Sequence, residues 1–189
     1  MIALDEQVVE QVNALGTTKW SGMTWRYATQ SRDPLSGEGA RRFGGRWNPR
    51  GSFPVTYLST ALPTAMHELE RLADAAGMTP FTLIDRGYSL YSIEAYDIAV
   101  LDLRDTTALE SLGLRRSDIA DPDWTACQSV GHAAWFLEMQ GVLAPSASGV
   151  GEILAVFEGR VRLDQLAVLE VTELTAEIFR AGVGCAPDA

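Results

Sequence analysis

The sequence is poor in cysteine, histidine and lysine, and it has no long apolar run. Its 189 residues include two cysteines, Cys127 and Cys185, two histidines and a single lysine, Lys19. The cysteine spacing matches neither a zinc site nor a disulfide framework, so we expect two inert thiols and no metal site. No apolar segment approaches the length of a bilayer span, and the first residues lack the basic and apolar parts of a secretory signal. We therefore expect a cytoplasmic protein that does not contact a membrane.

What the sequence does contain is the composition of a folded protein. Hydrophobic residues make up 47% of the chain and charged residues 21%, which is ordinary for a globular domain and unlike a disordered segment. We find no internal repeat and no stretch that resembles a linker. This length suits one hydrophobic core, so the sequence predicts a single domain over residues 1–189.

Charge is distributed unevenly along the chain. The net charge is −10, yet residues 26–50 hold six arginines against two acidic residues, a local balance of +4, so the remainder carries −14. A field this negative repels DNA and RNA, whereas a small anion responds mainly to arginines within a Debye length of about 8 Å. Guanidinium groups also bind phosphate oxygens in pairs. The pattern predicts a pocket for a small anion and no direct contact with nucleic acid.

Strand and helix signals are interspersed without the regular alternation of a doubly wound sheet. This predicts an α+β fold with mixed or antiparallel sheets and flanking helices. Periodicity and capping residues predict helices over residues 5–15, 63–76, 107–112 and 123–140 and a short helix near the C-terminus. Strands are predicted over residues 25–29 and 55–60, as one or two strands over 88–103, and as three strands after residue 140.

Residues 31–53 form the longest stretch without a predicted element. Their glycine and proline content predicts an irregular loop, and a loop of this length in a compact domain is typical of a functional segment. Gly44 and Gly45 would allow close backbone approach to a ligand. Arg46, Trp47 and Asn48 then offer charge, a stacking surface and directional hydrogen bonds. This combination suits a nucleotide, although a Gly-Gly-Arg sequence is equally typical of a solvated turn.

The helix predicted over residues 63–76 carries a candidate catalytic carboxylate. Its apolar residues share one arc, Glu68 and Glu70 flank that arc on opposite sides, and His67 and Arg71 point outward. A carboxylate at the border of the core can be partly desolvated and can serve a cleft. The helix alone leaves open that both glutamates are solvated flank residues.

Several motifs occur together in one order. They are WRY at 25–27, GGRWN at 44–48, YLS at 57–59, the helical Glu68, CQSVGHAAWF at 127–136 and VLAPSA at 142–147. Together they resemble the RES-domain family, toxins of bacterial toxin–antitoxin pairs named for an arginine, a glutamate and a serine. The resemblance covers about residues 25–157, so the helix at 5–15 and the C-terminal strand and helix are extensions.

The resemblance implies an enzyme with a fold similar to that of ADP-ribosyltransferases. It implies that NAD is depleted by cleavage of the nicotinamide–ribose bond, by hydrolysis or by phosphorolysis. NAD is then the substrate, inorganic phosphate a candidate co-substrate, and no cofactor is expected. It also implies a protein antitoxin with an Xre-like helix-turn-helix domain, and hence a toxin–antitoxin hetero-oligomer or a homo-oligomer. Two alternatives stay open, a transferase that modifies a protein with ADP-ribose and a non-catalytic nucleotide-binding module.

The resemblance also carries the family's arginines onto Arg26 and Arg46, its tyrosine onto Tyr57, its glutamate onto Glu68 and its serine onto Ser146. From these residue types we expect Glu68 to stabilise the positive charge on the sugar in the transition state and Arg26 and Arg46 to clamp the diphosphate, with one of the two arginines also able to position inorganic phosphate. Tyr57 would stack on the nicotinamide, and Ser146 would hydrogen-bond the carboxamide or the ribose.

Other positions are less firmly assigned. We also expect Tyr27, Gly45, Trp47 and Asn48 to contact the substrate, although Tyr27 lies in a strand and tyrosines there are more often core residues. The strand after the serine loop lacks the asparagine and the Asn-Pro pair often found in the family. This departure leaves Ser148 as an alternative to Ser146.

Overall fold

Six strands form one sheet in the computed structural model, which describes residues 4–184. The strands are β1 (Thr18–Thr29), β2 (Val55–Ser59), β3 (Tyr88–Asp102), β4 (Gly141–Pro145), β5 (Glu152–Phe157) and β6 (Leu166–Glu173). The helices are α1 (Glu6–Leu15), α2 (Glu38–Phe43), α3 (Leu62–Ala75), α4 (Pro80–Ile84), α5 (Thr106–Ser111), α6 (Arg116–Ala120), α7 (Thr125–Phe136) and α8 (Ala176–Gly184). This mixed sheet with flanking helices confirms the predicted α+β class.

The strand pairings close into a ring. β1 pairs antiparallel with β2 and β3, β2 with β5, and β5 with β4, while β4 runs parallel to β3 and β6 pairs antiparallel with β3. β1 and β3 are paired over most of the length of β1, whereas β1 and β2 meet at one residue pair, Trp25 and Ser59. The seam between β1 and β2 is therefore the weakest joint of the ring.

Helices α1 and α3 form where the sequence predicts them. The Asp5 carboxylate caps α1 by accepting hydrogen bonds from the N–H groups of Gln7 and Val8, and Gly16, at φ +70°, ends the helix. In α3 a proline stands in the first turn, and Ala65, Met66, Leu69 and Ala73 of the apolar arc are buried while Leu72 is exposed; the helix packs against the sheet and α8. The position of Glu68 follows from this packing because the arc fixes the rotation of the helix.

Several predicted boundaries are wrong. The segment predicted as irregular contains α2, which ends at Gly44 with φ +82°. β1 begins at Thr18, seven residues before the predicted strand, and helices α4 and α6 were not predicted. α7 ends at Phe136 because Gln140 belongs to the sheet: its backbone N–H donates to the Ala99 carbonyl over 2.8 Å, and its side-chain carbonyl accepts the Ala99 N–H.

Cys127 and His132 both lie on α7 and pack against core residues of the protein. Cys127 is buried in the core, and burial raises the pKa of its thiol to about 11. Burial also lowers the pKa of His132, which packs beside Phe53 and Trp135. Cys185 lies outside the described residues. Within residues 4–184, no helix has the length and apolar character needed to span a membrane.

Candidate active site

A cavity of about 370 Å³ opens at the seam between β1 and β2. Its walls come from β1, α2 and the segment that follows it, β2, α3 and the turn between β4 and β5. Seven of the nine predicted site residues line it: Arg26, Tyr27, Gly45, Arg46, Trp47, Tyr57 and Glu68. The structure therefore brings the two arginines and the glutamate together around one space, although they are far apart in the sequence.

The Glu68 carboxylate is held from two sides. Its Oε1 accepts a hydrogen bond from the Ser146 hydroxyl over 2.5 Å and a second from the Ser148 backbone N–H over 3.2 Å. Its Oε2 lies 3.8 Å from the guanidinium of Arg71, one turn further along α3. The side chain is 19% exposed, so it reaches the cavity while most of it is packed. Charge-assisted hydrogen bonds of this kind fix the orientation of the carboxylate.

The two serines lie in the turn between β4 and β5. Gly149 and Gly151 adopt positive φ angles there, and the Ser146 N–H donates to the Gly151 carbonyl over 2.9 Å. Ser146 is buried and does not line the cavity, and its hydroxyl donates a hydrogen bond to Glu68. The direct substrate contact expected of Ser146 therefore stays a prediction, and what the structure shows is its hydrogen bond to Glu68. The Ser148 hydroxyl lies 2.6 Å from that of Ser146, so both serines support the same carboxylate.

Arg46 lies at the wall formed by the segment before α7. Its guanidinium donates to the Asp121 carbonyl over 3.0 Å and lies over the Trp124 ring, 5.6 Å from the ring centre. Burial lowers the pKa of Arg46, and the nearby Glu68 carboxylate acts in the opposite direction. A guanidinium has five N–H donors. One of those of Arg46 is bonded to Asp121, and the residue lines the cavity although it is only 9% exposed.

Arg26 anchors the opposite end of the cavity to the backbone. Its guanidinium donates to the carbonyls of Pro34 over 2.5 Å and Ser36 over 3.1 Å. Burial lowers its pKa, and the carboxylates of Asp33 and Glu158 act against that shift. Arg26 therefore holds the chain before α2 in place and still has N–H donors left for a ligand.

The residues after Gly45 form a hydrogen-bonded core rather than a set of ligand contacts. The Tyr57 hydroxyl donates to the Asn48 side-chain carbonyl over 2.9 Å and accepts the Trp47 N–H over 2.8 Å. The Asn48 amide donates to the Ala40 carbonyl over 2.9 Å. Trp47 is 1% exposed and Asn48 is fully buried. Both side chains help to fix this segment, and their expected contacts with the substrate stay a prediction.

The two tyrosines of the cavity remain neutral at physiological pH. Burial raises the pKa of Tyr27, and the Glu68 carboxylate raises it further. Burial likewise raises the pKa of Tyr57. Both rings line the cavity and stay partly accessible, so they offer apolar surfaces to a ligand, whereas the Tyr57 hydroxyl is already bonded to Asn48 and Trp47.

Arg71 and Trp124 are among the cavity-wall residues that the sequence analysis missed. Arg71, which we expected to point outward, lines the cavity with its side chain 40% exposed. Its spacing from Glu68, i to i+3 on a helix, is the signal that could have found it. Trp124 lines the cavity beside Arg46, and no local pattern distinguishes it from a core aromatic.

Comparison with known proteins identifies the family of this chain. The family model described as RES domain matches residues 23–176, so the chain belongs to this family. Among its relatives is the NAD(+) phosphorylase MbcT of Mycobacterium tuberculosis (strain ATCC 25618 / H37Rv), 48% identical over 178 residues, which cover 94% of this chain and 96% of that protein. A more distant one, the probable NAD(+) phosphorylase Rv3189 of the same strain, is 32% identical over 143 residues, 75% of this chain and 64% of that protein.

A solved structure supports the same assignment. The crystal structure of the M. tuberculosis MbcT–MbcA toxin–antitoxin complex contains a chain with a TM-score of 0.91 and 46% identity. The match covers 97% of this chain and 100% of that chain. These comparisons confirm the family predicted from the motifs. The further kinship with ADP-ribosyltransferases stays a prediction.

Proposed function

We propose that this protein is an NAD phosphorylase that acts as the toxin of a toxin–antitoxin pair. The observation that carries the proposal is the convergence of Glu68 with Arg26 and Arg46 on one cavity, with the carboxylate held by the serine turn. The 48% identity to an NAD(+) phosphorylase over nearly the whole chain supports it. Because such an enzyme depletes NAD inside the cell that makes it, we place it in the cytoplasm.

Glu68 is the group that stabilises the transition state. As the bond between nicotinamide and ribose breaks, positive charge moves from the pyridinium ring to the sugar. A fixed carboxylate at the sugar lowers the energy of that state by about 3 kcal/mol, the size found when single electrostatic groups are removed from other enzymes. Nicotinamide leaves as a neutral molecule, so no general acid is required.

We assign the acceptor phosphate to the guanidinium of Arg71. This group lies beside Glu68, it is 40% exposed, and its charge lowers the pKa of Arg46, so the two cations share one region of the cavity. A phosphate held there would carry an oxygen to the anomeric carbon. A bond forms between the phosphate oxygen and the anomeric carbon while the bond from that carbon to the nicotinamide nitrogen breaks. The electron pair of the broken carbon–nitrogen bond stays with nicotinamide. The products are nicotinamide and ADP-ribose 1″-phosphate.

An antitoxin is part of this proposal. A solved relative is a toxin–antitoxin complex, and uncontrolled loss of NAD would kill the host cell. We propose a protein antitoxin with an Xre-like helix-turn-helix domain that covers the cavity, and a toxin–antitoxin hetero-oligomer as the resting form.

The test is incubation of the purified protein with NAD, with and without inorganic phosphate, followed by mass spectrometry of the products. We expect ADP-ribose 1″-phosphate in the presence of phosphate and a loss of turnover of about 100-fold or more in Glu68→Gln. Glu70→Gln is the matched control, because Glu70 lies on the same helix and contacts His67 at 3.3 Å without lining the cavity. Turnover at the parent rate in Glu68→Gln would contradict the mechanism. Release of free ADP-ribose regardless of phosphate would contradict the assigned acceptor.

A further inference from the structure

We propose that a second cavity, next to the first, binds the adenosine-phosphate half of NAD. This inference rests on the proposed function and adds to it a location for the half of the substrate that does not react. The second cavity has a volume of about 520 Å³ and is lined mainly by β1, the chain before α2, and α2 itself. Arg26, Tyr27 and Gly39 line both cavities, so the two spaces share a wall.

The size of the first cavity argues that NAD needs both. Sites that enclose a drug-sized ligand measure roughly 300–1,000 Å³, and the first cavity, at about 370 Å³, lies near the lower end. It suits the nicotinamide riboside that must reach Glu68. The remainder of the dinucleotide must extend beyond the first cavity. The residues that line both cavities indicate that it extends into the second one.

Arg26 stands where the two halves of the substrate would join. Arg26 lines both cavities, and its guanidinium donates hydrogen bonds to the carbonyls of Pro34 and Ser36. The remaining N–H groups are therefore held in position without a carboxylate partner. This is the geometry that a diphosphate bridge requires, because its oxygens accept hydrogen bonds from an immobilised guanidinium.

The charges of the second cavity suit a phosphorylated ligand. Arg32 and Arg42 line it, and neither forms an ion pair with a carboxylate within residues 4–184. By contrast, the neighbouring Arg41 is paired with Glu38 at 2.6 Å. Two carboxylates, Glu38 and Asp33, also line the cavity, and they are suitable acceptors for ribose hydroxyls.

An exposed aromatic ring completes the site. Phe43 ends α2, lines the second cavity and is 65% exposed, and the Arg42 guanidinium lies over its ring at 5.2 Å. A purine can stack on such a ring without sequence-specific hydrogen bonds. A large apolar side chain left in solvent beside unpaired arginines is thus explained by a heterocyclic, phosphate-bearing ligand.

ADP is the probe for this site, since it contains the non-reacting half of NAD and lacks the bond that is cleaved. In the parent protein we expect ADP to compete with NAD in the phosphorolysis assay. In Arg42→Ala and Phe43→Ala we expect ADP inhibition to weaken by about tenfold, from the loss of a stacking or charged contact. The KM for NAD should rise to a similar extent, while kcat at saturating NAD should stay within about twofold, because the groups around Glu68 are unchanged.

The matched control is Arg50→Ala, which removes one positive charge from an exposed position in the same segment that lines neither cavity. Parent-like ADP inhibition and KM for NAD in both Arg42→Ala and Phe43→Ala would overturn the inference, and so would an equal loss in Arg50→Ala. Direct calorimetric titration of each protein with ADP repeats the comparison without relying on turnover. If the parent protein bound ADP but did not cleave NAD, the proposed function would fail.

Discussion

At the scale of single residues, the candidate site depends on how Glu68 is held between a hydroxyl and a cation. Ser146 donates to one carboxylate oxygen, and Arg71 lies near the other. The two neighbours have different parts in the proposed reaction. The serine sets the direction of the carboxylate, whereas the arginine also offers a site for the second substrate. Substituting Ser146 and Arg71 one at a time distinguishes their two roles.

Replacing Arg71 should change the acceptor more than the cleavage step. In Arg71→Gln we expect the KM for phosphate to rise by about tenfold or more, the size of one lost charge-assisted contact. The share of ADP-ribose formed by hydrolysis should increase. Chromatography of the products over a range of phosphate concentrations measures both effects.

The control for this prediction is Arg86→Gln, an exposed arginine that lines neither cavity. An unchanged KM for phosphate in Arg71→Gln would remove Arg71 from the proposed acceptor site, even if overall turnover fell.

Replacing Ser146 should lower the rate and leave substrate binding nearly intact. Loss of a hydrogen bond to a charged group costs about 1.5–3 kcal/mol, so Ser146→Ala should reduce kcat by roughly 10- to 100-fold. The KM for NAD should change little because the hydroxyl does not line the cavity. Steady-state kinetics with NAD separate the two constants.

Ser148→Ala serves as the comparison for Ser146→Ala, since it keeps the backbone N–H that donates to Glu68. It should be the milder substitution. A Ser146→Ala variant whose KM rises while kcat is unchanged would indicate that the hydroxyl contacts the substrate instead.

At the scale of secondary-structure elements, the segment from Gly44 to Phe53 is fixed by α7. Gly131 on α7 packs against the backbone of Trp47, and an added methyl group there would overlap the Trp47 carbonyl. The Gln128 side chain also donates to the Gly45 carbonyl over 2.9 Å. The position of Arg46 therefore depends on a helix about 80 residues further along the chain, as the sequence separation in this contact shows.

Gly131→Ala should destabilise the protein by forcing α7 away from this segment. Overpacking of this kind costs about 1–3 kcal/mol, which for a domain of this length lowers Tm by roughly 2–12 °C. Gly159→Ala is the matched control because a methyl group there would meet no atom within 4 Å. Thermal unfolding followed by circular dichroism gives both values. Equal Tm values for the two variants would contradict the packing described here.

Elements with a local sequence pattern could be predicted from the sequence. The position of a side chain could not be predicted where it depends on packing against residues that are distant in the sequence. The rotation of α3, and with it the place of Glu68, follows from an apolar arc within one helix. The direction of Arg71 does not, because the wall it faces includes the β4–β5 turn, more than seventy residues away. The same holds for Trp47. A tryptophan beside two glycines is typical of a stacking surface for a ligand, but packing against α7 buries Trp47 in the core.

At the scale of the whole molecule, the arginines near the N-terminal side of an acidic chain surround two cavities instead of an open surface. Arg26 and Arg46 line the first cavity, Arg26, Arg32 and Arg42 line the second, and Arg41 is paired with Glu38. The net charge of the chain is −10, and the residues outside 26–50 together carry a charge of −14. Four of the six arginines between residues 26 and 50 thus line cavities of nucleotide size, while the chain as a whole is acidic.

This distribution predicts that the protein alone does not bind DNA. Non-specific affinity depends on many phosphate contacts, with dissociation constants of about 10⁻⁴–10⁻⁶ M for proteins that make them, and a net charge of −10 opposes such contacts. In an electrophoretic mobility assay at about 0.15 M salt, an ionic strength at which surface charges are screened beyond about 8 Å, we expect no retardation of duplex DNA by about 10 µM protein. The proposed complex with an antitoxin should retard the same DNA, because the proposed helix-turn-helix domain of the antitoxin would then supply the DNA contacts. Retardation by the toxin alone, lost in Arg42→Ala, would mean that the second cavity faces a polymer and not a dinucleotide.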